Sequence, residues 1–316
     1  MSLGGTTSSD LHDEVVRWYD QHARQLPWRA TDVSPWAVLV SEVMLQQTPV
    51  ARVEPVWRDW MRRWPTPASL AAEPAGEAVR AWGRLGYPRR ALRLHACAVQ
   101  VQARHGGEVP AEEAQLRDLP GIGAYTAAAV ASFAFGARTP VVDTNVRRVL
   151  ARALSAQALP APSLTRAETR LAGEVLPAEA ALSVRWNVGV MELGALVCTA
   201  RAPQCQRCPI RRRCAWVAQG QAPYRGPARR AQRWHGTDRQ CRGRLLELVR
   251  QHDTWLPYDA FVAAWPDDDT QRERCLSALL QEGLLVRYAD VPARDEQSPP
   301  PSGTLEDGDW YGFATR

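Results

Sequence analysis

Four cysteines, Cys198, Cys205, Cys208 and Cys214, are separated by six, two and five residues. Four thiolates in so short a stretch can hold an iron–sulfur cluster or a structural zinc, and either centre would dictate how this part of the chain folds. Zinc usually recruits two short cysteine pairs, and only Cys205 and Cys208 are that close, so the spacing favours a 4Fe–4S cluster. Disulfides are not expected, because Cys97, Cys241 and Cys275 are scattered elsewhere and no secretory leader precedes them. The cysteines lie in the most basic part of the chain. No acidic residue occurs between Glu192 and Asp238, whereas arginine occurs at 201, 207, 211, 212, 213, 225, 229, 230 and 233. Such a stretch suits phosphate.

The 316 residues, 45% of them hydrophobic, are enough for one large core and a second small one. No apolar run approaches the ~20 residues that cross a bilayer, so no membrane partner is expected and a soluble, intracellular protein is. The net charge of +5 and the clustered arginines favour an anionic partner. The sequence contains no lysine, so all 39 basic residues are arginine and no side-chain amine can form a Schiff base.

Apolar residues recur at intervals of three and four through residues 11–200, as in Leu11, Val15, Val16, Trp18 and Tyr19. Breakers such as Leu119-Pro120-Gly121 and Leu159-Pro160 cut the pattern into ten or so helices, which predicts an all-α body. Residues 220–237 mix Gly, Pro and Arg without periodicity and read as a linker. Helical stripes at Cys241–Arg250, Tyr258–Trp265 and Thr270–Gln281, with a strand at Leu284–Tyr288, predict a winged-helix-like unit over 238–290. Residues 291–316 read as a mobile tail.

Two segments look like chemistry. In Leu119-Pro120-Gly121-Ile122-Gly123-Ala124-Tyr125-Thr126, Gly121 and Gly123 permit a hairpin whose backbone amides face outward at the start of the next helix, a cradle for phosphate. Such a helix-hairpin-helix grips a DNA strand without reading its bases. Downstream, Asp143 stands where it can cap the helix that begins near Asn145, or face the strand held by the hairpin and stabilise a cationic sugar. Glu42 lies among valine, leucine and methionine, with no basic residue between Arg29 and Arg52. That setting disfavours an ionised carboxylate, as a general acid requires, although a glutamate early in a helix also complements the helix dipole.

With these residues in view, the chain resembles the MutY family of adenine DNA glycosylases in the endonuclease III superfamily. The resemblance covers residues 11–228 and rests on LPW at 26–28, SEVMLQQT at 41–48, LGY at 85–87, LPGIGAYTA at 119–127, DTNVRRVLAR at 143–152 and MELGALVC at 191–198, together with the cysteine spacing. It implies a six-helix domain over 29–140 carrying the hairpin, and a cluster domain built from 1–28 and 141–219. It implies that Glu42 is the general acid, that Asp143 stabilises the sugar cation, and that Tyr125 and Asn145 support them. Gln47 and Tyr87 are then wedges in the base stack, and Trp28, Arg29, Gly121 and Gly123 belong to the DNA-binding surface. The four cysteines then hold a 4Fe–4S cluster. The expected partner is double-stranded DNA with adenine mispaired with 8-oxoguanine or guanine, bound by a monomer that is cytoplasmic and nucleoid-associated. Bifunctional relatives carry lysine where this chain has Tyr125, so hydrolysis without a lyase step is implied.

The chain departs from the family at Arg84, Pro88 and Val188, and its last 80 or so residues lack the alternating strands of a Nudix-like domain. These differences leave two other readings open: a glycosylase for mismatched thymine or uracil, and a non-enzymatic iron–sulfur DNA-binding regulator.

Overall fold

The computed structural model describes residues 8–224, 226, 234–290 and 309–314. In chain order the helices are α1 (Ser8–His22), α2 (Pro35–Leu45), α3 (Val50–Arg63), α4 (Pro67–Ala71), α5 (Ala75–Ala81), α6 (Arg89–His105), α7 (Glu113–Arg117) and α8 (Ala124–Phe135). They continue as α9 (Thr144–Ser155), α10 (Arg166–Glu174), α11 (Ala180–Leu196), α12 (Ala215–Ala218), α13 (Asp238–Arg250), α14 (Tyr258–Ala264) and α15 (Asp269–Gln281). Three short strands, β1 (Leu256–Pro257), β2 (Val286–Arg287) and β3 (Trp310–Gly312), and four single-turn 3-10 helices complete the described elements. Several helices begin where their side chains satisfy the free amides of the first turn: Thr66, Asp143, Thr165, Glu179, Thr237 and Asp268 all accept such bonds.

The structure divides into two units, residues 1–38, 111–118 and 122–228, and residues 39–110, 119–121 and 229–316. The division differs from the expected 29–140 boundary. Helix α8 groups with the cysteine-bearing part, and the C-terminal unit groups with α3–α6.

In the first unit α11 packs on α9 and α1 around Val15, Val149, Trp186, Val190 and Leu193. Glycines permit the close approach: a Cβ on Gly194 would lie 2.7 Å from the Cβ of Asn145, and one on Gly189 would lie 3.1 Å from Val15. Helix α8 buries Thr126 to Ser132 without interruption, which its run of small residues allows. The carboxylate of Glu192 is fully buried in this unit. It accepts bonds from the Arg24 amide (3.0 Å), Arg24 Nε (2.7 Å), Arg24 Nη2 (2.8 Å) and Arg29 Nη2 (3.0 Å).

In the second unit α3 buries Val53, Trp57 and Trp60, spaced for one helical face. The Trp60 ring meets Trp64 edge-on at 4.9 Å and Trp82 at 5.6 Å. The C-terminal helices α13, α14 and α15 pack together beside a sheet of order β1-β3-β2, with Leu256 opposite Tyr311 and Val286 opposite Gly312. Three helices with a small antiparallel sheet are the parts of a winged helix. The central strand corrects the expectation of a tail over 291–316. Residues 309–314 are ordered into the sheet, and the Gly76 amide donates to the Ala314 carbonyl at 3.2 Å. The remainder of that stretch, 291–308, lies outside the described residues, as does most of 225–233 within the expected linker.

Candidate active site and nucleic-acid interface

Asp143 caps α9. Its Oδ1 accepts the Val146 amide at 2.6 Å and its Oδ2 accepts Asn145 Nδ2 at 2.7 Å. Burial pushes its carboxyl up from the ordinary value, against the bonds from Val146 and Asn145 and the nearby charge of Arg148. The segment leading into Asp143 is fixed by Asn187 on α11. Asn187 Nδ2 donates to the Thr139 carbonyl (2.9 Å) and to Ser132 Oγ (3.2 Å), and its Oδ1 receives the Val141 amide (3.4 Å). Capping and a functional carboxylate are therefore compatible readings of one residue, since the cap is what aims it.

From Asn145 a chain of contacts leads to the cysteines. Buried Arg148 donates through Nη2 to Asn145 Oδ1 (2.8 Å) and to the Gly194 carbonyl (2.6 Å), and through Nε to the Cys198 carbonyl (2.6 Å). Arg152, also buried, reaches the Cys198 Sγ (3.3 Å) and the Thr199 carbonyl (2.7 Å) through Nη1. Neither arginine stood out in the sequence, where both look like surface charges on a helix.

Cys198, Cys205, Cys208 and Cys214 line one cavity, closed by Val149, Ile210 and Trp216. None of the four forms a disulfide among the described residues. Among the described residues no three His, Cys, Asp or Glu side chains converge closely enough to hold a single metal ion. The donor set is all sulfur, it surrounds a shared space, and Arg152 and Gln221 Nε2 (3.2 Å to Cys205 Sγ) direct N–H groups at it. Such a cavity fits a sulfur-bridged cluster. Burial pushes the Cys208 thiol up to about 12, and a bound cation would favour its thiolate form. Arg207, Arg211 and Arg212 are exposed around the cavity. Arg213, expected with them on the phosphate side, is instead paired with Glu14 (3.2 Å) and Asp10 (3.4 Å).

The hairpin between α7 and α8 has the expected glycines, and they differ in role. Gly121 has φ +80°, and a Cβ there would lie 2.8 Å from the Cβ of Arg93. Gly123 is extended at φ −88° and caps α8 with no side-chain bond to its first amides. Gly123 and Ala124 are exposed at this helix start, where an anion suits the amides of the first turn. Tyr125, in the first turn of α8, is partly buried.

Glu42 lies on α2 with 6% exposure, between Ser41 and Val43, which are equally buried. Just beyond α2, Gln47 is exposed with φ +55°, and Tyr87 is 49% exposed with φ +49°. Left-handed backbone at two non-glycine residues is costly and needs support. Arg90 supplies it. Its Nη1 donates to the carbonyls of Val43, Met44 and Gln46 (2.9, 3.0 and 2.6 Å), and its Nη2 to Thr48 Oγ1 and the Gly86 carbonyl (both 3.0 Å). One buried guanidinium thus ties both loops together. Burial lowers it to about 10, which leaves it cationic at neutral pH.

Trp28 and Arg29 were expected on the DNA-binding surface. Trp28 is buried, with 6% exposure. Arg29 is anchored by Glu192 through Nη2, while its buried Nη1 has no partner among the described residues. In the C-terminal unit, Arg242 pairs with Glu282 (2.5 Å), Arg272 with Asp269 (2.7 Å) and Arg274 with Asp238 (2.8 Å), so these arginines hold the unit together.

Comparison with known proteins bears on this geometry. Residues 40–174, which include Glu42, the hairpin and Asp143, match the HhH-GPD superfamily of base excision DNA repair proteins. The chain is 49% identical over 277 residues to an adenine DNA glycosylase of Mycobacterium tuberculosis, covering 87% of this chain and 90% of that one. It is equally similar to an adenine DNA glycosylase of Mycolicibacterium smegmatis, covering 88% and 93%. Among solved structures, a thermostable thymine-DNA glycosylase superposes with a TM-score of 0.60 at 26% identity, over 67% of this chain and 97% of that one. Identity of this order over nearly the whole length, with the carboxylates and the hairpin inside the matched segment, shows that the chain belongs to the adenine DNA glycosylase (MutY) family of the HhH-GPD superfamily.

Proposed function

We propose that the protein is a monofunctional adenine DNA glycosylase that removes adenine mispaired with 8-oxoguanine or guanine in duplex DNA. The observation that carries this is Asp143, a partly buried carboxylate aimed by the Val146 amide and Asn145, in a chain so similar to adenine DNA glycosylases. Breaking an N-glycosidic bond needs a proton on the leaving base and a negative charge near the sugar cation, and two carboxylates in unlike settings supply both. Glu42 gives its proton to adenine as the bond to the sugar breaks. The carboxylate left behind takes a proton from the attacking water, which restores the acid. Asp143 stays ionised and stabilises the oxocarbenium-like sugar, with Asn145 and Tyr125 holding the arrangement.

Extrusion of the adenine costs a few kcal/mol, and Gln47 and Tyr87, held rigid through Arg90, offset it by entering the base stack. The amides after Gly121 and Gly123 take a phosphate of the same strand. The four cysteines are read as ligands of a 4Fe–4S cluster, which with every ligand a cysteine supplies structure and no open site for chemistry. With no lysine in the chain, strand cleavage through a lysine imine has no nucleophile. The protein is read as a monomer acting at the nucleoid. Base release from duplexes with adenine opposite 8-oxoguanine, guanine and thymine, beside thymine and uracil opposite guanine, tests the reading. Release of the pyrimidines with adenine retained would overturn it.

A further inference from the structure

Tyr87 and Trp234 are two of the few large hydrophobic side chains that the described residues leave exposed, at 49% and 48%. They come from distant parts of the sequence, yet one guanidinium lies over both rings. The Cζ of Arg239, on α13, is 5.5 Å from the centroid of Tyr87 and 5.3 Å from that of Trp234. Arg90 lies over the Tyr87 ring as well, at 5.7 Å. The placement of Trp234 is built. Its carbonyl accepts Thr237 Oγ1 at 2.8 Å, Thr237 caps α13, and the adjoining Gly236 carbonyl accepts Gln271 Nε2 at 3.0 Å from α15.

Two exposed rings flanking a cation form a poor surface for water and a good one for bases. Every base has a π-face that stacks on an aromatic ring, and a planar guanidinium adds attraction of the same geometry. Tyr87 is moreover held in a left-handed conformation beside Gln47 by the bonds of Arg90. A side chain kept in that state at the surface is pre-set for a partner.

We propose that Arg239 and Trp234 of the C-terminal unit join Tyr87 in a single stacking surface for the bases of the opened duplex. The C-terminal unit then does more than stabilise the helical body or hold phosphates. Arg239 acts as a positioning residue for Tyr87, and Trp234 adds a second ring. This rests on the reading of the chain as a base-extruding glycosylase.

The test uses the full-length protein and a duplex carrying 2-aminopurine beside an adenine–8-oxoguanine pair. Affinity and 2-aminopurine fluorescence are measured for wild type, Trp234→Ala, Arg239→Ala, Arg239→Lys and, as a remote charge control, Arg104→Ala. Stacking on one ring is worth about five- to hundredfold in affinity. Trp234→Ala and Arg239→Ala should each weaken binding at least fivefold and alter the fluorescence response, with unchanged circular dichroism and urea midpoint. Arg239→Lys keeps the charge without the plane and should not restore either signal, while Arg104→Ala should match wild type. Full rescue by Arg239→Lys, together with a salt slope lowered by one in Arg239→Ala, identifies a plain phosphate contact and overturns the proposal. Variants indistinguishable from an active wild type also overturn it and leave the glycosylase reading intact. A wild type that releases no adenine from any duplex refutes that reading instead. Should Trp234→Ala misfold, Trp234→Phe and Trp234→Leu decide: stacking requires the first to bind as wild type and the second to fail.

Discussion

Replacing Glu192 by glutamine tests how the first unit is held together. The native carboxylate is fully buried and receives four bonds from Arg24 and Arg29, which bring its pKa down from 4.5 to about 2 despite the burial. A depression of that size corresponds to roughly 3 kcal/mol favouring the folded state at neutral pH. Removing one partner of a buried pair typically costs about 3–5 kcal/mol, because the cations left behind stay desolvated. Glu192→Gln keeps the shape but turns one acceptor into a donor facing arginine. Urea unfolding followed by tryptophan fluorescence should therefore show a loss of about 3–5 kcal/mol at pH 7.5. The folded pKa is depressed, so the contribution of Glu192 is present above 4.5 and is lost as pH falls toward about 2. The gap between wild type and variant should accordingly narrow from pH 5 downward. Arg24→Gln and the double variant close a cycle whose coupling should exceed about 1 kcal/mol. An unchanged midpoint at pH 7.5, or a gap that persists undiminished into acid, would refute the reasoning.

Glu42→Gln should lower single-turnover adenine release by ~10²–10⁴-fold while keeping duplex affinity within about tenfold, and activity within a few-fold of wild type would exclude Glu42 as the acid. Because burial raises the Asp143 carboxyl and its ionised form is the useful one, the acid limb of the rate should lie above the ordinary carboxylate range; Asn145→Ala, which removes a donor, should move it higher, and a limb that does not move would count against that role. Purified protein should be brown, with broad absorbance near ~400 nm and about four irons per chain, whereas stoichiometric zinc after anaerobic purification would refute the cluster. Arg152→Leu, which loses the bonds to Cys198 and Thr199, should bleach faster under oxidation than wild type in parallel absorbance traces.

The helical body was legible in the sequence because its signals are local. Apolar spacing marked α1, and the strand at Leu284–Tyr288 was expected where β2 lies. Two strands were not legible. Leu256–Pro257 and Trp310–Gly312 are too short for any alternation to register, and their pairing depends on residues far apart in the chain. Asp143, Asn145 and the cysteines were legible through motif and spacing, whereas the side chains that aim them were not. Arg90, Arg148 and Arg152 sit on helices where an arginine ordinarily faces water, and only the folded chain reveals their carbonyl partners. The left-handed backbone at Gln47 and Tyr87 leaves no trace in residue type. The reverse error arises at Arg213, whose basic surroundings suggest a phosphate contact while its partners, Asp10 and Glu14, lie at the other end of the sequence.

The order of the small sheet has a consequence for how the protein is made. Among the described residues, strands β1 and β2 do not pair with each other; each pairs with β3, which is synthesised after both. The two earlier strands therefore gain the central strand of the described sheet only when residues 310–312 leave the ribosome. The same late segment supplies the Ala314 carbonyl that receives the Gly76 amide, so one bond at the first turn of α5, translated far earlier, also waits until then. The α9–α11 core of the other unit needs nothing downstream of residue 228 and is free to assemble first. Closure of the second unit becomes a single late event dominated by distant contacts, and such events are slow. A ribosome that stalls or terminates shortly before Trp310 would release a chain with a formed cysteine-bearing unit and a partner unit that cannot close, a natural substrate for quality-control proteases.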